Sequence, residues 1–275
     1  MSNNPLQKYF RQPKIFISLP SKGVWTKPGT IQGDATHLPV FGMTGMDEII
    51  MKTPDALLTG DSTAQVISSC CPNIKDPWDV SVTDIMLILA AIRISTYGDS
   101  MVVRNTCAKC QSENEYQMDL NKIIEHYMAC KFQTTVTLNN MIIRIQPLSY
   151  KDSTEFNLRN FRLQQQIEQI SQMEDQSTQQ DKYKELYQEI GNVQVDILKK
   201  AIEDIEIDGQ KVTERSYIEE WILNCDKSVI DAIRELNISN NDTWAPPKFK
   251  VECDSCQAES ELRIELDESN FFVKA

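Results

Sequence analysis

The residues with the most specific chemistry in this sequence are two pairs of cysteines. Cys107 and Cys110 form one CxxC pair, and Cys253 and Cys256 form the other. Two intervening residues let a tight turn aim both sulfurs at one point, so two such turns can hold one tetrahedral zinc ion. We therefore expect these four cysteines to bind a single zinc. Because sulfur would fill every coordination position, no place is left for water, and the predicted metal is structural.

The two segments are similar beyond their cysteines. Residues 107–115 read CAKCQSENE, and residues 253–261 read CDSCQAESE. Apolar residues alternate after both pairs: Tyr116, Met118 and Leu120 after the first, and Leu262, Ile264 and Leu266 after the second. Alternation is typical of a strand. The sequence thus predicts a hairpin around each pair and a four-cysteine zinc ribbon assembled from distant parts of the chain.

Other roles for the cysteines remain open at this point. A redox CxxC would sit at a helix start that lowers its thiol pKa, whereas these flanks look like strands. Two disulfides are disfavoured, because the polar first ten residues lack a secretory signal and indicate a reducing compartment. His126 has two open interpretations: it could replace one of the cysteines as a metal ligand, or it could be an ordinary surface or capping histidine. The thiols outside the pairs are expected to pack in the core: Cys70, Cys71, Cys130 and Cys225.

Composition and motifs restrict the other classes of function. With 41% hydrophobic and 25% charged residues the chain is predicted to be globular. The net charge of -12 disfavours binding to a phosphate backbone. The most apolar window, residues 85–94, is too short to span a membrane. Neither histidine belongs to a catalytic motif, and Gly42 and Gly45 lack the lysine of a phosphate loop, so we expect no enzyme.

Several elements must position the cysteine hairpins. Ile15, Ile17 and Leu19 alternate as a strand. Thr44 with Asp47, and Ser81 with Asp84, resemble helix capping boxes. The second box opens a helix that is apolar on nearly every side, so it must be central and should end near Gly98.

The second half of the chain is predicted to be mostly helical. Strands at 134–138 and 141–145 flank a turn at Asn139-Asn140. A helical period from about residue 152 to 205 predicts a helical hairpin. Its tip, residues 164–182, is polar and is either a solvated face or a surface that binds a partner. Asp208-Gly209 predicts a turn, and two further helices precede the last hairpin. Their apolar sides are supplied by Tyr217, Trp221 and Ile222, and by Val229, Ile230, Ile233 and Leu236.

These elements predict an α+β protein, mainly helical, with short antiparallel hairpins and the zinc-ribbon module. We expect three regions along the chain. Residues 1–100 form a strand and helical region, residues 101–150 with 245–275 form the ribbon and sheet module, and residues 151–244 form a helical insertion.

Four segments resemble the baseplate hub proteins of T-even-like and related marine phages. They are residues 19–23 (LPSKG), 51–60 (MKTPDALLTG), 69–72 (SCCP) and 91–98 (AIRISTYG). The resemblance spans about the first half of the chain and includes the first cysteine hairpin. It implies a non-enzymatic protein that builds the hub of a contractile tail, either as a resident subunit or as an assembly chaperone.

The same resemblance implies partners and a location. The expected partners are other baseplate hub or tail proteins, and a homo-oligomer is compatible with this role. The expected location is the host cell cytoplasm during assembly and, for a resident subunit, the virion tail baseplate. An alternative from the ribbon alone is a zinc-ribbon regulator that binds nucleic acid or a polymerase; the acidic charge counts against direct DNA contact but not against a polymerase.

Overall fold

The computed structural model describes residues 4–53, 59–138, 140–173 and 175–263. Helices make up 49% of the protein and alternate with short antiparallel sheets, so the α+β prediction is confirmed. The chain divides into two compact units: unit 1 comprises Met1–Cys130 and Trp244–Ala275, and unit 2 comprises Lys131–Thr243. The three regions inferred from the sequence stay a prediction.

Unit 1 contains three antiparallel strand pairs, four α-helices and two short 3-10 helices (Gln7–Tyr9 and Pro77–Asp79) among its described residues. Strand β1 pairs with β2, β3 with β4, and β9 with β10. The elements are numbered along the chain: β1 (Ile15–Ile17), β2 (Leu38–Val40), α1 (Gly45–Met51), α2 (Asp61–Cys70), α3 (Val82–Tyr97), β3 (Ser100–Thr106), β4 (Glu113–Asp119), α4 (Asn121–Ala129), β9 (Lys248–Glu252) and β10 (Glu259–Arg263).

Helix α3 is the centre of unit 1, as its apolar sequence predicts. Its residues are buried on nearly every side, and it ends at Gly98, which has a φ of 95°. The Ser81 hydroxyl accepts a hydrogen bond from the Thr83 amide at its start. Asp84 does not complete a capping box: its carboxylate accepts from the amide of Ser21, at 2.9 Å, and from the Ser21 hydroxyl. The first turn of α3 is therefore tied to the LPSKG segment.

Helix α1 begins with the capping box that the sequence predicts, since Thr44 and Asp47 bond reciprocally. The Asp47 carboxylate also lies 3.4 Å from the guanidinium of Arg11. Arg11 in turn donates to the carbonyls of Gly42, at 2.6 Å, and Ser69, at 2.7 Å. One arginine thus connects the beginning of the chain to the start of α1 and the end of α2.

Unit 2 contains a four-stranded antiparallel sheet in the order β5-β6-β7-β8 and four helices among its described residues. The predicted turn between β5 and β6 includes Asn139, which lies outside those residues. The elements are β5 (Thr135–Leu138), β6 (Met141–Ile145), α5 (Tyr150–Ser171), α6 (Gln176–Ala201), β7 (Ile202–Ile207), β8 (Gln210–Val212), α7 (Arg215–Asn224) and α8 (Lys227–Thr243).

Helices α5 and α6 form the predicted helical hairpin around a small core of their own. Its buried residues are Phe156, Leu163, Ile170, Leu186 and Val193. Ile167 lies four residues after Leu163 and three before Ile170, so a helical period predicts it on the same face, but it is exposed. Apart from Ile170, the described residues between 164 and 182 are fully or partly exposed, as the polar composition of the tip predicts.

Two details of unit 2 differ from the sequence prediction. The helical period was expected to continue to Ile205, but α6 ends at Ala201 and the next residues pair with β6 as strand β7. Asp204, fully buried in β7, lies 2.6 Å from Arg144 of β6 and 2.9 Å from Lys211 of β8. Pairing between distant segments therefore overrides the local helical period at residues 202–205.

Tyr217 was expected on the apolar side of α7, but it is exposed, and Ile218 is buried instead.

The two ends of unit 2 lie next to each other. The Asn240 side chain accepts from the Gln133 amide at 2.8 Å and donates to the Gln133 carbonyl at 2.9 Å. Asn240 is almost fully buried. Unit 2 is therefore an insertion whose entry and exit are joined by a reciprocal pair of hydrogen bonds.

Candidate metal centre

The first cysteine pair occupies the turn between β3 and β4. The pair of residues next to this turn is Thr106, the last residue of β3, and Glu113, the first residue of β4. Within the turn, the Cys107 amide donates to the Ser112 carbonyl and the Gln111 amide donates to the Cys107 carbonyl, both at 2.9 Å. Gln111 has a φ of 60°, a left-handed conformation that closes the turn.

The second pair occupies an equivalent turn between β9 and β10. The Cys253 amide donates to the Ala258 carbonyl at 3.0 Å, and the Gln257 amide donates to the Cys253 carbonyl at 2.8 Å. Gln257 has a φ of 55°. Each bond matches one in the first turn, so the sequence repeat is also a structural repeat. The predicted continuation at Ile264 and Leu266 lies outside the described residues.

The four sulfur atoms of the two turns form one cluster. Cys107 Sγ lies 3.7 Å from Cys256 Sγ, and Cys110 Sγ lies 3.6 Å from Cys253 Sγ. All four lie within 4.8 Å of one another. A tetrahedron with zinc–sulfur bonds of about 2.3 Å has sulfurs about 3.8 Å apart, so the spacing and the donor type both fit zinc.

The remaining interpretations of the CxxC pairs fit this geometry less well. All four thiols are free, and the closest sulfurs are far beyond the disulfide bond length of about 2.0 Å. Both pairs lie in turns between strands, without the helix N-terminus that lowers a redox thiol pKa. A metal cluster is the arrangement that this geometry supports.

Polar groups around the sulfurs come mainly from the first hairpin. The Ser112 hydroxyl lies 3.0 Å from Cys110 Sγ and 3.3 Å from Cys253 Sγ, so it contacts a sulfur of each turn. Asn114, on β4, is buried and accepts a hydrogen bond from the Asp254 amide at 3.1 Å. Neither residue stood out in the sequence. The signal available was the mismatch within the repeat, where Ala258 and Ser260 replace them.

Because of these contacts, the pKa values of the clustered cysteine thiols differ from one another. Hydrogen bonding to the Ser112 hydroxyl lowers the pKa of Cys110, and the same hydroxyl, with the Cys256 amide, lowers the pKa of Cys253 to about 5. The pKa of Cys256 is raised to about 12: the Ala258 amide lowers it, but Cys110, loss of hydration and the other two sulfurs raise it more. Without a cation the cluster therefore retains protons that metal binding must release.

The other candidate residues lie outside the cluster. His126, on α4, has its Nε2 3.0 Å from the Ala245 carbonyl and 3.7 Å from Cys130 Sγ, so it is not placed as a replacement ligand. Cys70 and Cys71 are fully buried in the core, as predicted, whereas Cys130 and Cys225 are only partly buried.

A shallow groove on α8 is a second concave feature with polar groups. It is lined by Glu235, Ile238, Ser239, Asp242 and Thr243. Two carboxylates and two hydroxyls face it, but no histidine, cysteine or lysine is among them. The Thr243 hydroxyl donates to the Ser239 carbonyl at 2.9 Å. None of the helices in the described part of the chain combines the length and the apolar composition of a membrane-spanning segment.

Comparison with known proteins identifies the family. Residues 46–273 match the family model described as T4 bacteriophage base plate protein. The match begins after the LPSKG segment and continues through the helical middle, so it covers more of the chain than the segments that first suggested it. No curated protein and no solved structure matches the chain. The chain belongs to the T4 bacteriophage base plate protein family.

Proposed function

We propose that this protein is a non-enzymatic structural or assembly component of the baseplate hub in a contractile phage tail. Membership of the baseplate family supports a structural role beside other tail proteins. We further propose that Cys107, Cys110, Cys253 and Cys256 bind one structural zinc ion.

The observation that carries the zinc proposal is that the four sulfurs converge where the described strands of the second hairpin contribute no buried residue. None of the five residues of β9 or the five of β10 is buried. An isolated two-stranded hairpin is marginally stable in water. Binding of zinc by four thiolates supplies on the order of 10 kcal/mol, which is enough to hold such a hairpin in place. The zinc would thus join residues near 253 to the middle of the chain.

Replacement of Cys253 by serine tests the metal site. We expect anaerobically purified Cys253→Ser protein to lose its zinc, and the chain after residue 247 to become sensitive to protease. Cys225→Ser is the matched control, because Cys225 lies outside the cluster and should leave the zinc content at one ion per chain. Elemental analysis that finds no zinc in the wild-type protein would contradict the proposal.

The hub role is tested in infected cells. We expect the protein to co-purify with hub proteins from assembly intermediates. Mass spectrometry of purified particles then distinguishes a resident subunit, present in both samples, from an assembly factor present only in the intermediates. Co-purification with a polymerase, or a gel shift at physiological salt, would instead favour a zinc-ribbon regulator.

A further inference from the structure

Asn114 lies between the two cysteine turns and bonds to the backbone of both. Its Oδ1 accepts from the amide of Asp254, the residue next to Cys253, at 3.1 Å. Its Nδ2 donates to the carbonyl of Ser112, in the first turn, at 3.0 Å. Asn114 as a whole is only 3% exposed. Because a buried amide left without partners costs about 1–3 kcal/mol, this placement holds only while both turns are in register.

We propose that Asn114 is a positioning residue that fixes the second turn against the first, so that Cys253 and Cys256 reach the metal held by Cys107 and Cys110. This inference rests on the proposed zinc site. Groups that orient metal ligands contribute to affinity without touching the metal, and their loss typically lowers it about 10- to 100-fold. Here the oriented group is the backbone adjacent to Cys253.

The asymmetry of the repeat supports this assignment. The position equivalent to Asn114 in the second hairpin is Ser260, which is exposed on β10 opposite Val251. The position equivalent to Ser112 is Ala258, which has no hydroxyl to offer a sulfur. Apart from the cysteines, the described side chains that bond across to the other hairpin, Ser112 and Asn114, both belong to the first one. The first hairpin acts as the template, and the second is the part that docks.

The chemistry of the contact is specific to an amide. Asn offers an acceptor to the Asp254 N–H and a donor to the Ser112 carbonyl from one planar group. Alanine provides neither, whereas aspartate keeps the acceptor and loses the donor. These substitutions separate the two halves of the contact.

The experiment uses the full-length, reduced, zinc-loaded protein. Zinc affinity is measured by competition with a chelator, and protection of the Asp254 amide is measured by hydrogen exchange. For Asn114→Ala we expect the zinc dissociation constant to rise about 10- to 100-fold and the amide to lose its protection. Asn114→Asp should retain much of that protection. Ser260→Ala, the equivalent position in the second hairpin, should leave both measurements unchanged.

The possible results separate this inference from the proposed function. Wild-type zinc affinity in Asn114→Ala, equal losses in Ser260→Ala, or an Asn114→Asp protein no better protected than Asn114→Ala would each overturn the role of Asn114 alone. A wild-type protein that binds no zinc would overturn the proposed site and this inference with it. Helical circular dichroism verifies that each variant is folded.

Discussion

Asp84 is a buried carboxylate that receives hydrogen bonds from one specific partner, Ser21. Asp84 is fully buried at the start of α3, and its carboxylate accepts from the amide and hydroxyl of Ser21. Burial raises its pKa to about 6, although the bonds from Ser21 act in the opposite direction. The sequence predicted a capping role for Asp84 because Ser81 lies three residues before it. The actual partner is 63 residues away, which no local pattern reveals.

The raised pKa of Asp84 predicts a pH-dependent stability. The native state holds a proton that the unfolded state releases between about pH 4 and 6, so this stabilisation is complete below about pH 4 and is lost as pH rises through about 6. The effect is on the order of 3 kcal/mol. We expect Asp84→Asn to flatten this part of the stability profile in urea denaturation. A variant with the wild-type slope between pH 4 and 6 would contradict the assignment.

The cysteine cluster predicts a pH dependence of opposite sign for zinc binding. The pKa of Cys256 is raised to about 12, so near neutral pH its proton must leave when a metal binds. We expect zinc affinity to increase with pH, about tenfold per pH unit for each proton released. Chelator competition at several pH values between 6 and 8 measures this. An affinity that does not change over that range would mean that the thiols are already ionised.

At the scale of elements, local signals predicted what the chain forms from neighbouring residues. The capping box of α1, the central helix α3 and its end at Gly98 all follow from residues within a few positions of one another. The helix-to-strand change at Ile202 was missed, because residues 202–205 continue a helical period yet pair with β6. Strand identity there depends on a partner some 60 residues earlier, which the local period does not contain.

Helices α5 and α6 provide a stability test at this scale. Leu186 is buried between them, and its neighbour Tyr187 is 67% exposed. We expect Leu186→Ala to lower the free energy of unfolding by about 2–4 kcal/mol, because it removes buried methyl groups and leaves a cavity. Tyr187→Ala should change it by less than about 0.5 kcal/mol. Chemical denaturation of the two variants makes the comparison, and equal effects would argue against the hairpin core.

At the scale of the whole molecule, the four cysteines that cluster were found from the sequence, because CxxC spacing and the nine-residue repeat carry their own signal. The boundary of the compact units at residues 130 and 131 falls between a helix and a strand, so no single element marks it in the sequence. Ser112 and Asn114 were missed because their role depends on a turn 140 residues away.

The adjacent ends of unit 2 predict that it folds by itself. Its entry and exit are joined by the bonds between Gln133 and Asn240, and it has its own buried core. We expect a fragment of residues 131–243 to be helical and to unfold cooperatively on heating. Asn240→Ala in this fragment should lower the melting temperature, because it removes both hydrogen bonds that the buried Asn240 side chain makes to the Gln133 backbone. A fragment without a cooperative transition would show that unit 2 depends on the rest of the chain.

The number of residues between the two cysteine turns also determines when the cluster can form during protein synthesis. Cys253 follows Cys110 by 143 residues, which a ribosome adds in about 7–30 s at about 5–20 residues per second. For that interval the nascent chain contains only two of the four clustered thiols, Cys107 and Cys110, while the whole helical insertion emerges. The four-sulfur cluster can therefore form only on chains that have been translated past residue 256, so prematurely terminated products would lack the proposed zinc site.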